Sequence, residues 1–121
     1  MFQKIAFIHY CTENLDRSLK FYRDVLGLKL LIQNEEWVEF DVGGQRLALR
    51  KVDSMPAKSE MLHPHGAMIW LEAYPIDKYI SFLIDKNTSI IKELELFSYG
   101  KTAALADPDG NLIGLYEPPA K

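Results

Sequence analysis

The sequence predicts an α+β fold of two tandem βαβββ modules whose curved mixed sheets surround a central cleft. Three observations predict it. Residues 6–24, AFIHYCTENLDRSLKFYRD, and residues 67–85, AMIWLEAYPIDKYISFLID, share a pattern at an offset of 67 − 6 = 61, with Ala6/Ala67, Ile8/Ile69, Asp16/Asp77, Phe21/Phe82 and Asp24/Asp85 identical. Each half then runs in the same order of strand, turn, helix and three short strands. The last strand follows a strong turn, Asp107-Pro108-Asp109-Gly110, in which Pro108 fixes φ and Gly110 allows the chain to reverse.

In the first half a strand is expected over residues 4–11. Asn14 is the candidate N-cap of a helix that ends near Gly27, with Asp16 in the first turn where the helix dipole favours an anion. Leu15, Leu19, Tyr22 and Leu26 recur at helical spacing and form one apolar stripe. Strands follow over 28–33, 37–42 and 45–52, the last two joined through Gly43 and Gly44. In the second half a strand covers 67–73, Pro75 opens a helix with the stripe Ile76, Tyr79, Ile80 and Leu83, and weaker strands cover 88–93, 101–106 and 112–117. Residues 94–100 carry the weakest signal. The modules are therefore 1–53 and 66–121, and the polar, proline-bearing residues 54–65 read as a linker.

Composition narrows the function classes. A net charge of −3 supplies no basic field for a nucleic acid or an anionic membrane surface. No apolar run approaches the ~20 residues of a spanning helix, and charge follows the N-terminal apolar residues too soon for a secretory signal. One cysteine, Cys11, excludes an internal disulfide and fits a reducing, cytoplasmic setting. Phosphate loops, Ser/His/Asp motifs and paired-cysteine metal signatures are absent from the sequence.

The segments FYRDVLGLKL (21–30) and ADPDGNLIGLYEP (106–118), one in each half, resemble the vicinal oxygen chelate superfamily. That superfamily includes glyoxalases, extradiol dioxygenases, fosfomycin-resistance enzymes and bleomycin-resistance proteins, and the resemblance covers nearly the whole chain. It implies a divalent ion held by His, Gln or Glu side chains on the first and last strands of each module. Carried onto this sequence, those positions fall on Phe7, on Met68 (7 + 61), on Gly114, the fourth residue after Gly110, and on Ala48 (114 − 66, aligning Gly44 with Gly110). None of the four offers a hard donor, so no metal and no other cofactor is expected.

Alternation adds His9, Arg50, Trp70 and Tyr116 to the same faces. Phe7, His9, Ala48, Arg50, Met68, Trp70, Gly114 and Tyr116 then form a mixed wall of the kind that lines small-molecule sites. Arg50 is suited to a carboxylate or phosphate, and Trp70 or Tyr116 to a ring. Each also has a structural reading: Phe7, Met68 and Trp70 as core, Gly114 as close strand packing, Arg50 as a solvated strand end, and His9 as a hydrogen-bonded structural imidazole. Glu39 is a possible neighbour of His9, on a strand whose face alternation leaves open. His63 and His65 read as surface histidines, and Asp107 and Asp109 as turn residues that accept local amide hydrogen bonds.

The leading expectation is a metal-free small-molecule binding protein, similar to the bleomycin-resistance members and like them a homodimer, with a small planar or acidic ligand in the cleft. The alternative is a lyase, isomerase or dioxygenase of the same superfamily, with a metal displaced to residues such as His9 and Glu72 or with His9 in acid–base catalysis. A third is an interaction module whose pocket is filled by its own side chains.

Overall fold

The computed structural model describes residues 1–61 and 67–120. His63 and His65 lie outside the described residues. The chain divides into two compact units, 1–55 and 56–121, each taken by itself below.

Unit one contains β1 (Ile8–Thr12), α1 (Leu15–Lys20), β2 (Lys29–Gln33), β3 (Trp37–Val42) and β4 (Gln45–Lys51). Its sheet has the order β1-β4-β3-β2, with β1 parallel to β4 and the other pairs antiparallel. Asn14 has extended backbone and accepts the Arg17 N–H through Oδ1 at 3.0 Å, which satisfies one of the donors a helix start leaves open. The helix continues as a π-helical turn over Phe21–Val25. Leu15, Leu19 and Tyr22 are buried against Val38, Phe40, Leu47 and Leu49 on one face of the sheet. Full burial of a side chain of this size contributes roughly 1.5–3 kcal/mol. Within the FYRD segment, Arg23 and Asp24 pair with each other at 2.7 Å on the surface, and the Arg23 hydrogen bond holds the Asp24 carboxyl below its ordinary range.

Strand β1 begins at Ile8 and not at residue 4. Its parallel partner explains this: Ile8 lies opposite Leu47, so residues upstream of Ile8 soon outrun β4, which starts at Gln45 after the Gly43–Gly44 turn.

Unit two contains the short α2 (Lys58–Met61), β5 (Ile69–Glu72), α3 (Ile76–Asp85), β6 (Ser89–Phe97), β7 (Gly100–Ala106) and β8 (Leu112–Glu117). The sheet order is β5-β8-β7-β6, the same pattern as in unit one. Both sheets are curved, and both fold as α+β. The region with the weakest sequence signal is structured: β6 runs through Phe97 and a turn leads directly to Gly100, where β7 begins. Two irregularities, between Ile90 and Lys92 and between Lys92 and Glu95, break the alternation that a regular strand would have shown in sequence.

On α3, Ile76 and Leu83 are buried, whereas Tyr79 is exposed and leaves the expected stripe. Pro75 stands at the N-cap and supplies no side-chain acceptor. Glu117, seven per cent exposed at the end of β8, takes that role: Oε1 accepts the Ile76 N–H at 2.9 Å, and Oε2 pairs with Lys101 Nζ at 3.3 Å. In the turn before β8, Asp107 Oδ1 accepts the amides of Asp109 and Asn111 and Oδ2 accepts the Asn111 side-chain amide, each at 2.9 Å, while the Gly110 N–H donates to the Asp107 carbonyl. Replacing Glu117 by Ala is expected to destabilise the fold by about 1–3 kcal/mol, the cost of an orphaned buried amide. Denaturant unfolding checks it, and an unchanged midpoint would show that water satisfies the helix start equally well.

Candidate functional site

Strand register lays out the same grid in both sheets. In unit one His9 lies opposite Ala48, and Ala48 opposite Glu39. In unit two Trp70 lies opposite Gly114, and Gly114 opposite Ala104. The row His9/Ala48/Glu39 is therefore matched by Trp70/Gly114/Ala104, and the offsets of 61 and 66 found in the sequence are those of the strand pairs, since 9 + 61 = 70 and 48 + 66 = 114. The next row carries Arg50 opposite Trp37 in unit one, and Tyr116 opposite Thr102 in unit two. Phe7 and Met68 precede β1 and β5 respectively, one residue before each strand starts.

On unit one the helix covers the face that holds Val38 and Leu49, and the other face carries His9. The His9 imidazole is exposed and walled by two rings, with centroids 5.9 Å from Trp37 and 6.5 Å from Phe7. Phe7 and Trp37 meet edge to face at 5.2 Å. Ala48 is wholly buried beside them. Glu39 is on this face as well, but its carboxylate is committed elsewhere: Oε2 accepts Trp37 Nε1–H at 2.7 Å and Oε1 accepts Arg46 at 3.2 Å. Arg50 is exposed at a groove of about 470 Å³ shared with Glu35, Glu36, Lys51 and Asp53. Glu35, Glu36 and Asp53 outnumber Arg50 and Lys51 in its lining, so this groove is a poorer anion clamp than Arg50 alone suggested. Cys11 is half-buried and forms no disulfide.

On unit two, Gly114 is explained by its neighbour. A Cβ built there would stand inside the Trp70 indole, against Cε3, Cδ2 and Cζ3. The absent side chain makes room for that ring and does not open a cavity of its own. Trp70 keeps half its surface exposed, which rules out the core reading for it; Phe7 is likewise 44% exposed, whereas Met68 is half-buried. Trp70 and Tyr116 line a groove of about 410 Å³ with Phe97, Tyr99, Lys92 and Thr102. Phe97 and Tyr99 stack at 4.9 Å, and Tyr116 donates its hydroxyl proton to the Tyr99 carbonyl at 2.6 Å. Gly100, at φ +134°, permits this, because a Cβ there would stand 2.7 Å from Tyr116 Cε1. Trp37, Phe97 and Tyr99 were missed by sequence reasoning, and Glu39, weighed there as a neighbour of His9, was left without a face. Alternation within β3 would have linked Trp37 to Glu39, but only the pairing with β4 shows which face they share.

The family model of the Glyoxalase/Bleomycin resistance protein/Dioxygenase superfamily matches residues 4–115. The chain belongs to this superfamily. A protein of Staphylococcus haemolyticus named metallothiol transferase FosB is 35% identical over 118 residues, covering 96% of this chain and 84% of the relative. A metallothiol transferase FosB of Staphylococcus saprophyticus is 26% identical over 118 residues, covering 96% and 78%. The crystal structure of the genomically encoded fosfomycin resistance protein FosX of Listeria monocytogenes superposes with a TM-score of 0.79 at 14% identity, covering 98% of this chain and 96% of that one, a likeness of fold.

These relatives overturn the expectation of a metal-free protein that binds a planar or acidic ligand without changing it. Near full-length relatives are named as transferases, and the enzyme alternative fits them better. Their name also implies a metal, which the donor chemistry of this chain can test. Phe7, Ala48, Met68 and Gly114 present a ring, a methyl, a thioether and no side chain, and Gly114 is overlaid by Trp70. Among the described residues no group of three or more His, Cys, Asp and Glu side chains is placed to hold an ion. These residues do not fit a hard divalent ion at the superfamily's positions.

The Gly114 reading predicts that Gly114→Ala displaces the indole of Trp70 and costs about 1–3 kcal/mol, as overpacking does. Adding Trp70→Ala to Gly114→Ala should recover part of that loss in a double-mutant cycle by chemical denaturation. Additive losses would show that the two residues do not interact.

Proposed function

We propose that this chain is an enzyme of the superfamily acting on a small organic molecule, with His9 as its acid–base group. The observation that carries the reading is the His9 imidazole, exposed on a sheet face beside the rings of Phe7 and Trp37 and free to meet a substrate. An imidazole is suited to moving protons near neutral pH, and such a group contributes typically ~10²–10⁴-fold to a rate. The transferase relatives suggest thiol transfer as the reaction class. As a thiol sulfur attacks an electrophilic carbon, its S–H proton passes to His9. The C–O bond at that carbon breaks, and the imidazolium returns the proton to the freed oxygen. No step is assigned to a metal, because the donors are missing. Isomerase and lyase chemistry, which also turn on proton transfer, belong to the same reading where the substrate differs.

Purified protein incubated with a low-molecular-weight thiol and fosfomycin, the drug named for the Listeria fold relative, is expected to form an adduct detectable by mass spectrometry, with a rate unchanged by chelator. His9→Ala should lower kcat by about 10²–10⁴-fold. Wild-type turnover in that variant would remove His9 from the mechanism, and loss of activity in chelator would bring a metal back.

We further propose that the protein acts in the cytoplasm as a homodimer. Phe2, Ile5, Phe7 and Ile8 are exposed along the first eight residues, an apolar run that suits burial against a second copy. Among the described residues no helix is long and apolar enough to cross a membrane. Light scattering is expected to give the mass of two chains, and Phe2→Asp with Ile5→Asp to shift it toward one. A monomeric wild-type mass would refute the dimer.

A further inference from the structure

We propose that Glu39 is a positioning residue for His9, acting through the indole of Trp37. Three observations support the connection. Glu39 is eight per cent exposed, and a carboxylate removed from water in the middle of a sheet requires hydrogen-bond donors. It has two, and they come from different strands: Trp37 Nε1–H from its own strand at 2.7 Å, and the Arg46 guanidinium from β4 at 3.2 Å. The ring thus fixed at its nitrogen is the ring that stands 5.9 Å from the His9 imidazole, tilted by 49°, while its edge-to-face contact with Phe7 closes the other side.

The indole has two soft torsions, and the Nε1–H bond to Glu39 Oε2 restrains both. A charge-assisted hydrogen bond to a buried carboxylate is among the stronger ways of holding a side chain. Ala48, between His9 and Glu39 in the register, adds no bulk beyond its methyl, so the row holds only one long acid and one imidazole. In unit two the equivalent row has Ala104 where Glu39 stands and Trp70 where His9 stands, so the device belongs to unit one alone. Glu39 is buried, and each of its oxygens already accepts a protein donor, so its role is assigned to holding the indole. Its catalytic meaning rests on the His9 reading; the geometric claim does not.

The test separates the two. In proton–carbon NMR spectra of the whole chain, with His9 assigned by its loss in His9→Ala, the imidazole resonances should carry ring-current shifts from Trp37 and Phe7. Glu39→Leu, which removes the acceptor, is expected to move them toward the positions seen in Trp37→Leu. Glu39→Gln keeps an acceptor for Nε1–H and should restore most of the wild-type shift. Arg46→Met breaks only the ion pair and should leave the His9 resonances in place. The proposal fails if Glu39→Leu, folded by circular dichroism, leaves the His9 resonances where the wild type has them. It also fails if Glu39→Gln or Arg46→Met moves them as far as Glu39→Leu does. Where turnover is measurable, Glu39→Leu is expected to lower kcat about tenfold with KM little changed, as a misplaced catalytic group does. Shifted resonances together with wild-type turnover in His9→Ala would leave the positioning intact and sink the acid–base reading.

Discussion

Each four-stranded sheet has two faces and one long helical element to cover them, and this shortage organises the molecule. Alternation sends Val38 and Phe40 to the helix and Trp37 and Glu39 away from it. The covered face is aliphatic and aromatic, closed by Leu15, Leu19 and Tyr22. The other face lacks a helix, so it must be stabilised by its own residues or by something that binds to it. Large side chains that a core would have hidden are therefore exposed, Trp70 and Phe7 among them.

The two units meet this constraint differently on the same grid. Unit one lays an indole from β3 along the face and ties it to a buried carboxylate. Unit two lays an indole from the edge strand β5 across a glycine on β8. One solution leaves an imidazole beside the ring, and the other leaves an aromatic groove with Lys92 at its margin. A duplicated architecture has thus kept its register while its side chains diverged.

That divergence bears on chemistry. The superfamily is shared with proteins named as metallothiol transferases, yet the four positions where a metal would find its ligands carry carbon, a thioether or nothing. Loss of donors does not by itself make a protein a passive binder. A proton-transfer group on the same face is a second route to catalysis, and His9 is the imidazole that the strand pairing sets there.

The repeat, the order of elements, the Asn14 cap and the Asp107–Gly110 turn were legible in the sequence because each depends on neighbours within a few residues or on a fixed period. Residues 37–42 and 112–117 were readable as strands for the same reason. Other features depended on partners distant in the chain. Where β1 starts follows from where β4 ends its turn, the cap of α3 comes from Glu117, and the gap at Gly114 is filled from β5. The sequence by itself determined that two α+β modules would form and that Phe7, Ala48, Met68 and Gly114 carry no hard donor. Tertiary structure alone decided which side chains of different strands stand opposite one another and which ring lies on which neighbour, because strand pairing joins residues that no local period connects.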